Sequence, residues 1–324
     1  NNDASQDSQA KDWSETKLHG SSLKRGSVIL RRGNSGDLKS YYDFKSEASG
    51  AGEKQELSRK SLGSIQRTTS LASHLDRACR RIKKGRRTTE SIETEIDIIR
   101  QMDHPNIAHI YETFEDETYH SIITDHCNQG SLADLLISRK ALKETESAAV
   151  LQQLSRVVIY LHDKKICHRG LRPEAIMLQT SEQVATCLDA CTVKVIDFSH
   201  AVYFKRGKRI KGKVDTFAYS SSQLLDGECT EVCDTWSCGA ILYTMLCGRP
   251  PFGGDIVEVP LSEAQVHDLK ARAAHGMRWS AQDELNISKT GRKLIQRLLD
   301  PDEATRMKIE GIIGDPWCEE QGLE

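Results

Sequence analysis

The stretch HRGLRPEAIMLQ, residues 168–179, decides the fold of this chain because of the elements that flank it. Before it, residues 144–165 place apolar side chains at the spacing of a long amphipathic helix. After it, VKVIDF at 193–198 predicts a strand that ends in a turn. Residues 234–248 are almost wholly apolar up to Gly248, which predicts a helix buried on all sides. We therefore expect the quoted stretch to be a loop within a mainly helical region.

The first third of the chain has a different character. Residues 88–102 predict a helix with three isoleucines on one face and a cap at Thr88 or Thr89. Residues 119–126 have the apolar run of a buried strand. From Ser262 onward the patterns are mostly helical again.

Together these patterns predict an α+β fold with two lobes. We expect a flexible polar extension at 1–40, a small β-rich lobe at 41–126 and a mainly helical lobe at 127–324. The extension is rich in Ser, Gly, Asn and Lys and has few apolar positions.

The composition excludes several classes of protein. Among 324 residues, 45 Lys and Arg nearly balance 47 Asp and Glu, so no overall field favours nucleic acid or an anionic membrane. The longest apolar run, near 240–246, is too short to span a bilayer, and the N-terminus has no apolar signal-peptide core. We expect an intracellular, cytoplasmic protein. Because the sequence does not begin with Met, we also expect a segment of a longer protein.

The ten cysteines are scattered, but two C-x3-C pairs occur, Cys187/Cys191 and Cys229/Cys233. Such pairs can bind zinc. No His or further Cys stands at zinc-ligand spacing beside them, so buried free thiols are the favoured interpretation.

From residue 41 to the C-terminus the sequence resembles a Ser/Thr protein kinase. Its motifs are most similar to those of the calcium-dependent protein kinases (CDPKs). The resemblance rests on segments that occur in the kinase order at kinase spacings: MDHPNIAHIYETFEDETYHSIITDHCNQGSL, HRGLRPEAIML, VKVIDFS, CDTWSCGAILYTMLCGRPPFGG and RLLDPDEATRMKIEGIIGDPW. It implies the two-lobed kinase fold and transfer of the ATP γ-phosphoryl group to protein Ser or Thr. In CDPKs an EF-hand module follows the kinase domain. No D-x-D-x-D-G loop occurs in this sequence, so such a module would lie outside this chain.

Several catalytic positions of the family carry other residues here. Gly170 stands where the resemblance places the catalytic Asp, and Ala175 where it places an Asn that binds the second Mg2+. Arg80 replaces the phosphate-binding Lys, with Glu95 as its expected partner. Lys83 or Lys84 could reach into the site instead, although a solvated strand end is the favoured interpretation for both.

Two further catalytic-site positions carry charged residues. The resemblance places Arg172 in the catalytic loop, as a candidate catalytic residue. Asp197 keeps the main Mg2+ ligand of the family.

The resemblance also assigns the nucleotide pocket. Gly50 and Gly52 are the best candidates for the loop that covers the phosphates, with Gln55 at the third Gly position. The alternative is Gly63, and the first choice requires an insertion near 58–72. The remaining candidates are Ala78 and Arg80 on a strand, Thr124 at the gatekeeper position, and Asp125 to Cys127 at the hinge.

Residues with structural roles in the family are retained. They are His168, Arg169 and Asp234, which the resemblance assigns to anchoring the catalytic loop on the buried helix. Gln223 replaces a Glu that would form an ion pair with Arg306, and a hydrogen bond is expected in its place.

The replacement of catalytic residues, together with the retention of structural ones, predicts a pseudokinase. We expect a binding or allosteric module with weak ATP binding, little or no use of Mg2+ and a protein partner. The alternatives are an active Ser/Thr kinase with atypical groups, and a purely structural module that binds neither nucleotide nor substrate. Residues 203–215 carry six basic side chains, which suggest either a docking strip for an acidic partner or a solvated loop, the favoured interpretation.

Overall fold

A six-stranded sheet and a helical lobe make up the described part of the chain. The computed structural model describes residues 29–32, 37–44, 64–180, 188, 191–257 and 260–322. The predicted α+β fold with a β-rich first lobe and a helical second lobe is confirmed.

The first lobe is built on one curled sheet with the strand order β1-β5-β6-β4-β3-β2. Its strands are β1 (Ile29–Arg32), β2 (Tyr42–Asp43), β3 (Ser64–Ser70), β4 (Asp76–Lys83), β5 (Ile110–Glu115) and β6 (Tyr119–Asp125). All neighbours pair antiparallel except β1 and β5, which pair in parallel.

The edge strand β1 lies within the segment that we assigned to an extension. Its residues Ile29 to Arg32 pair with Glu112 to Glu115 of β5. The boundary at residue 40 stays a prediction, but these four residues belong to the sheet. Within 58–72, where we expect an insertion, residues 64–70 form a strand that pairs with β4 and, at Thr69 and Ser70, also with β2. The insertion itself stays a prediction.

One helix, α1 (Thr89–Arg100), packs against this sheet and begins as predicted. Thr88 caps it, since its side chain accepts a hydrogen bond from the Ser91 N–H. The buried face of α1 carries Ile92, Ile96 and Ile99 together with one charged residue, Glu95.

The second lobe is mainly helical. Its longer helices are α2 (Leu132–Arg139), α3 (Glu144–Asp163), α5 (Cys233–Cys247), α6 (Glu263–His275) and α8 (Lys289–Leu298), and its shorter ones are α4 (Ser222–Asp226), α7 (Ala281–Asn286) and α9 (Pro316–Glu320). Two-residue and four-residue strands pair antiparallel around the loops: β7 (Ile166–Cys167) with β10 (Val202–Tyr203), β8 (Ile176–Gln179) with β9 (Thr192–Val195), and β11 (Ile210–Lys211) with β12 (Glu228–Cys229).

Helix α5 is the centre of this lobe, as its apolar sequence predicts. Fourteen of its residues are buried, and α3 and α8 both pack on it. It ends at Gly248, whose φ of +70° suits glycine. A Cβ at this position would lie 2.4 Å from the carbonyl oxygen of Lys140, so close packing also requires glycine. Among the described residues, no helix has both the length and the apolar character needed to cross a bilayer.

Candidate nucleotide and catalytic site

Arg80 occupies the middle of the sheet on β4, between Ile65 of β3 and Ile122 of β6. Its side chain lies on the same face as Ile82, which joins the core together with α1. The guanidinium group donates to a carboxylate oxygen of Glu95 and, over 3.2 Å, to Oδ1 of Asp197. The expected Arg80–Glu95 pair is therefore present, and Arg80 also reaches the residue expected to bind metal.

A second arginine holds the other side of Glu95. Nη1 of Arg87 lies 2.5 Å from Oε2 of Glu95, and Nη2 donates to the backbone carbonyl of Ser199 over 3.2 Å. Arg87 thus ties the first lobe to the turn that follows Asp197. The two lysines weighed as substitutes do not enter the site: Lys83 is exposed, and Lys84 pairs with Glu115 at 3.0 Å.

Asp197 lies between two guanidinium groups. Its Oδ1 accepts from Arg80, and its Oδ2 accepts from Nη2 of Arg172 over 2.7 Å. The backbone N–H of Ser199 also donates to Oδ1, over 3.3 Å. Burial alone would raise the pKa of the Asp197 carboxyl, but Arg172 and Arg80 hold it well below its ordinary value. The carboxylate is therefore ionised and fully engaged by protein cations.

The loop that contains Gly170 is anchored on α5, as the resemblance implies. The backbone N–H groups of His168 and Arg169 each donate to the carboxylate of Asp234 over 2.8 Å. Nε2 of His162 lies 3.0 Å from the same carboxylate. Burial would raise the pKa of Asp234, but the hydrogen bonds from His162 and His168 lower it. The anchor is thus a charged group that backbone donors stabilise.

The imidazole of His200 contacts Gly170. A Cβ at position 170 would lie 3.0 Å from Cδ2 of His200 and 3.5 Å from its Cβ. Nε2 of His200 pairs with Oδ1 of Asp215 at 2.7 Å. Sequence reasoning missed this pair, because no spacing signal links two residues that far apart in a loop.

Ala175 contributes only a methyl group and its backbone to the site. It is fully buried, and its N–H donates to the carbonyl of Arg172 while its own carbonyl accepts from Ile196, each over 2.9 Å. Its side chain offers no oxygen to a metal ion.

The hinge is the segment that joins β6 to the second lobe. Thr124 is paired with Ala78 across β4 and β6, so the two candidates for the adenine pocket are neighbours. The carboxylate of Asp125 accepts from the Tyr111 hydroxyl over 2.7 Å and lies 3.3 Å from the Lys194 ammonium group. Cys127 is buried, which raises its thiol pKa to about 12. The candidates for the phosphate-covering loop, Gly50, Gly52, Gln55 and Gly63, lie outside the described residues.

Comparison with known proteins agrees with this geometry. The family model described as "Protein kinase domain" matches residues 53–318. The chain belongs to the protein kinase domain family. It is 32% identical over 234 residues to calcium-dependent protein kinase 4 of Plasmodium falciparum (isolate 3D7), which covers 72% of this chain and 42% of that protein.

A second relative covers more of this kinase domain. Calcium-dependent protein kinase 3 of Plasmodium berghei (strain Anka) is 30% identical over 296 residues, 91% of this chain and 49% of that protein. The chain thus spans about half the length of the curated relatives it matches.

Arg169 of this kinase domain is engaged by backbone groups. Its Nε donates to the carbonyl of His200 over 2.9 Å, and its Nη1 lies 3.4 Å from the carbonyls of both Lys211 and Gly212. The side chain therefore ties the catalytic loop directly to β11 and the segment that follows it.

The expected hydrogen bond at the end of that segment is confirmed. Nη2 of Arg306 donates to Oε1 of Gln223 over 3.0 Å, and Nε2 of Gln223 donates to the carbonyl of Pro301. The amide thus satisfies both groups at a position where the family has a carboxylate.

Three thiols are buried behind the catalytic loop. The sulfur atoms of Cys167 and Cys233 are 3.5 Å apart, and Cys229 joins them in the same apolar cluster. Burial raises the pKa of Cys167 to about 12, which keeps it a thiol. Cys187 lies outside the described residues and Cys191 is half-buried. His162, Cys167 and Asp234 bring possible ligand atoms within 4.8 Å of one another, but the oxygens of Asp234 already accept from the loop backbone.

Proposed function

We propose that this kinase domain is catalytically impaired and acts as a binding module that holds an adenine nucleotide with little help from Mg2+. One observation carries the proposal: both carboxylate oxygens of Asp197 accept hydrogen bonds from guanidinium groups, those of Arg80 and Arg172. Mg2+ would have to displace at least one of these contacts, because it needs oxygen ligands near 2.1 Å in octahedral geometry.

The residues present fit Mg2+ poorly. Of the two metal-binding residues of the family, the Asp is retained as Asp197, whereas the Asn is replaced by Ala175, which has no oxygen in its side chain. Displacing either arginine from Asp197 is also unfavourable, because breaking a buried ion pair leaves an uncompensated charge. The proposed nucleotide would therefore meet protein cations where other kinases present a metal ion.

Support for nucleotide binding comes from residues at the family's nucleotide-binding positions. Ala78 and Thr124 lie side by side at the position expected for the adenine ring. Arg80 and Arg172 reach Asp197 from opposite lobes, and guanidinium groups are good donors to phosphate oxygens. On binding, these guanidinium groups would divide their hydrogen bonds between Asp197 and the phosphates, and we therefore expect weak affinity for the nucleotide.

The alternative is an active Ser/Thr protein kinase with atypical groups. A specific observation favours it: His200, paired with Asp215, lies against the position of the missing catalytic carboxylate. Regulation by calcium is a proposal that rests on the similarity to calcium-dependent protein kinases, and an EF-hand module outside this chain is a proposal that rests on the resemblance to CDPKs. A cytoplasmic location and a protein partner or substrate belong to the same proposal.

The test is a titration of the purified domain with ATP and ADP, with and without Mg2+. A ligand at about 100 times its dissociation constant stabilises a fold by roughly 2.7 kcal/mol, enough to raise the melting midpoint by a few degrees. We expect a small rise with ATP that Mg2+ changes little, and peptide phosphorylation at least about 100-fold slower than with an active CDPK. A large rise only with Mg2+, or turnover near about 1–100 per second, would overturn the proposal.

A further inference from the structure

The space beside Gly170 is filled by His200. A Cβ built on residue 170 would lie 3.0 Å from Cδ2, 3.5 Å from Cβ and 3.6 Å from Cγ of His200. Contacts near 3.0 Å are tighter than ordinary van der Waals packing, so with a larger residue at 170 the His200 side chain would have to move by a few tenths of an ångström. Gly170 therefore permits an imidazole to stand where a side chain at 170 would start.

The orientation of this imidazole is set by a carboxylate. Nε2 of His200 pairs with Oδ1 of Asp215 over 2.7 Å, and the hydrogen bond from His200 lowers the pKa of the Asp215 carboxyl. A carboxylate that accepts from Nε2–H leaves Nδ1 as the ring nitrogen with a lone pair. Within the described part of the chain, no hydrogen bond to Nδ1 is found. The backbone of His200 is also held, because its carbonyl accepts from Nε of Arg169.

The ring lies beside the charged groups of the cleft. Arg172 lowers the pKa of the Asp215 carboxyl, so the partner of His200 lies within electrostatic range of the guanidinium group that binds Asp197. Nη1 of Arg172 donates to the carbonyl of Gly170 over 3.0 Å. The ring therefore lies beside the catalytic loop at Gly170, the position at which the family has its catalytic carboxylate. His168 is a further titratable neighbour.

We propose that His200, oriented by Asp215, is the proton acceptor of this site and supports slow phosphoryl transfer to a protein hydroxyl group. This step rests on the proposed function only in that the cleft must hold a nucleoside triphosphate. Nδ1 of His200 takes the proton of a Ser or Thr hydroxyl group while its oxygen bonds to the γ-phosphorus. The bond from that phosphorus to the β–γ bridging oxygen breaks, and the nucleoside diphosphate leaves with the electron pair. The imidazolium ion then returns its proton to solvent.

The decisive experiment compares peptide phosphorylation by the unmodified domain and by His200→Asn, with radiolabelled ATP and a Ser/Thr peptide library. We expect His200→Asn to lower kcat by about 100-fold or more while KM for ATP and the ATP-induced rise in melting midpoint stay within about twofold. Imidazole added to the buffer should restore part of the turnover of His200→Asn. Asp215→Asn should lower kcat by about tenfold or more, because the ring loses its orienting acceptor.

His267→Asn is the matched control, since His267 is exposed on α6, and it should leave turnover unchanged. The double variant Gly170→Asp/His200→Ala offers a second readout, because it returns a carboxylate to position 170 and removes the tight contact with the imidazole. It should restore turnover without any response to imidazole. Equal turnover in the unmodified domain and His200→Asn, including none in either, would overturn the assignment of His200. The nucleotide-induced rise in melting midpoint reports separately on the proposed function, which survives that outcome if the rise is present.

Discussion

Arg172 donates a 2.7 Å hydrogen bond to Oδ2 of Asp197, and the two side chains are buried together. With Arg80 on the other oxygen, a chain of ion pairs runs from Arg87 through Glu95, Arg80 and Asp197 to Arg172. It crosses from the first lobe to the second without any ligand. The lobes are therefore held by protein groups at the place where metal and phosphate act in the family.

Removing Arg172 should make the cleft responsive to Mg2+. In Arg172→Gln, Oδ2 of Asp197 loses its cation and becomes available to a metal ion. We expect Mg2+ to increase ATP affinity about tenfold more than in the unmodified domain, a difference of about 1.4 kcal/mol measured by titration calorimetry. Arg172→Lys retains one charge at this position and should fall between the two. The same Mg2+ response in all three proteins would show that Asp197 is not the limiting group.

Loss of Arg80 should destabilise the fold strongly. Arg80→Ala leaves Glu95 with Arg87 alone and Asp197 with Arg172 alone, in a site where both carboxylates are fully buried. We expect the free energy of unfolding to fall by about 3–5 kcal/mol in denaturant titrations at pH 7. Arg81→Ala on the same strand is the control and should cost about 1 kcal/mol, because Arg81 is one-third exposed and lies 3.6 Å from Asp116. A similar fall in the free energy of unfolding in the two variants would show that the buried ion pairs of Arg80 do not stabilise the fold more than a surface pair does.

Stability should fall as the pH is lowered from about 6.5 to about 4. Burial lowers the pKa of His168 from 6.5 to about 4, so the unfolded chain takes up a proton in this window and the folded protein does not. The shift corresponds to roughly 3 kcal/mol at about 1.4 kcal/mol per pH unit. His168→Gln should flatten the pH dependence of the unfolding free energy in this window, and an unchanged slope would assign the loss to other groups.

A further loss of stability at low pH comes from Asp197. Its pKa lies below its ordinary value, so its contribution is complete above about pH 4 and is lost as the pH falls further. His168→Gln should leave this more acidic part of the curve in place.

Two glycines in the left-handed region should differ in their tolerance of alanine. Gly248→Ala would place a Cβ 2.4 Å from the carbonyl oxygen of Lys140, whereas a Cβ at Gly207 meets nothing within 4 Å. Their φ angles are alike, +70° and +73°, so the backbone cost of about 1–2 kcal/mol should be common to both. We expect Gly248→Ala to lower the thermal midpoint well beyond Gly207→Ala, and equal shifts would mean that the chain near Lys140 moves freely.

The sequence allowed prediction of the site wherever a family motif carries a residue to a known element. The Arg80–Glu95 pair follows from the kinase resemblance, which aligns Arg80 with the strand lysine of the family and Glu95 with its helical partner. The contact between Arg172 and Asp197 does not, because a guanidinium group has many reachable partners and only packing selects one. The parallel pairing of β1 with β5 was also out of reach, since a four-residue edge strand carries too weak a pattern to reveal its partner.

Arg169 donates to the carbonyls of His200, Lys211 and Gly212. These contacts hold the chain after the catalytic loop, and none of them depends on a covalent modification. Between Phe204 and Asp215 that chain contains no Ser, Thr or Tyr. No phosphate ester can therefore be added to this stretch to rearrange it. Phosphorylation of Ser, Thr or Tyr that alters the shape of this region would have to occur in another part of the polypeptide.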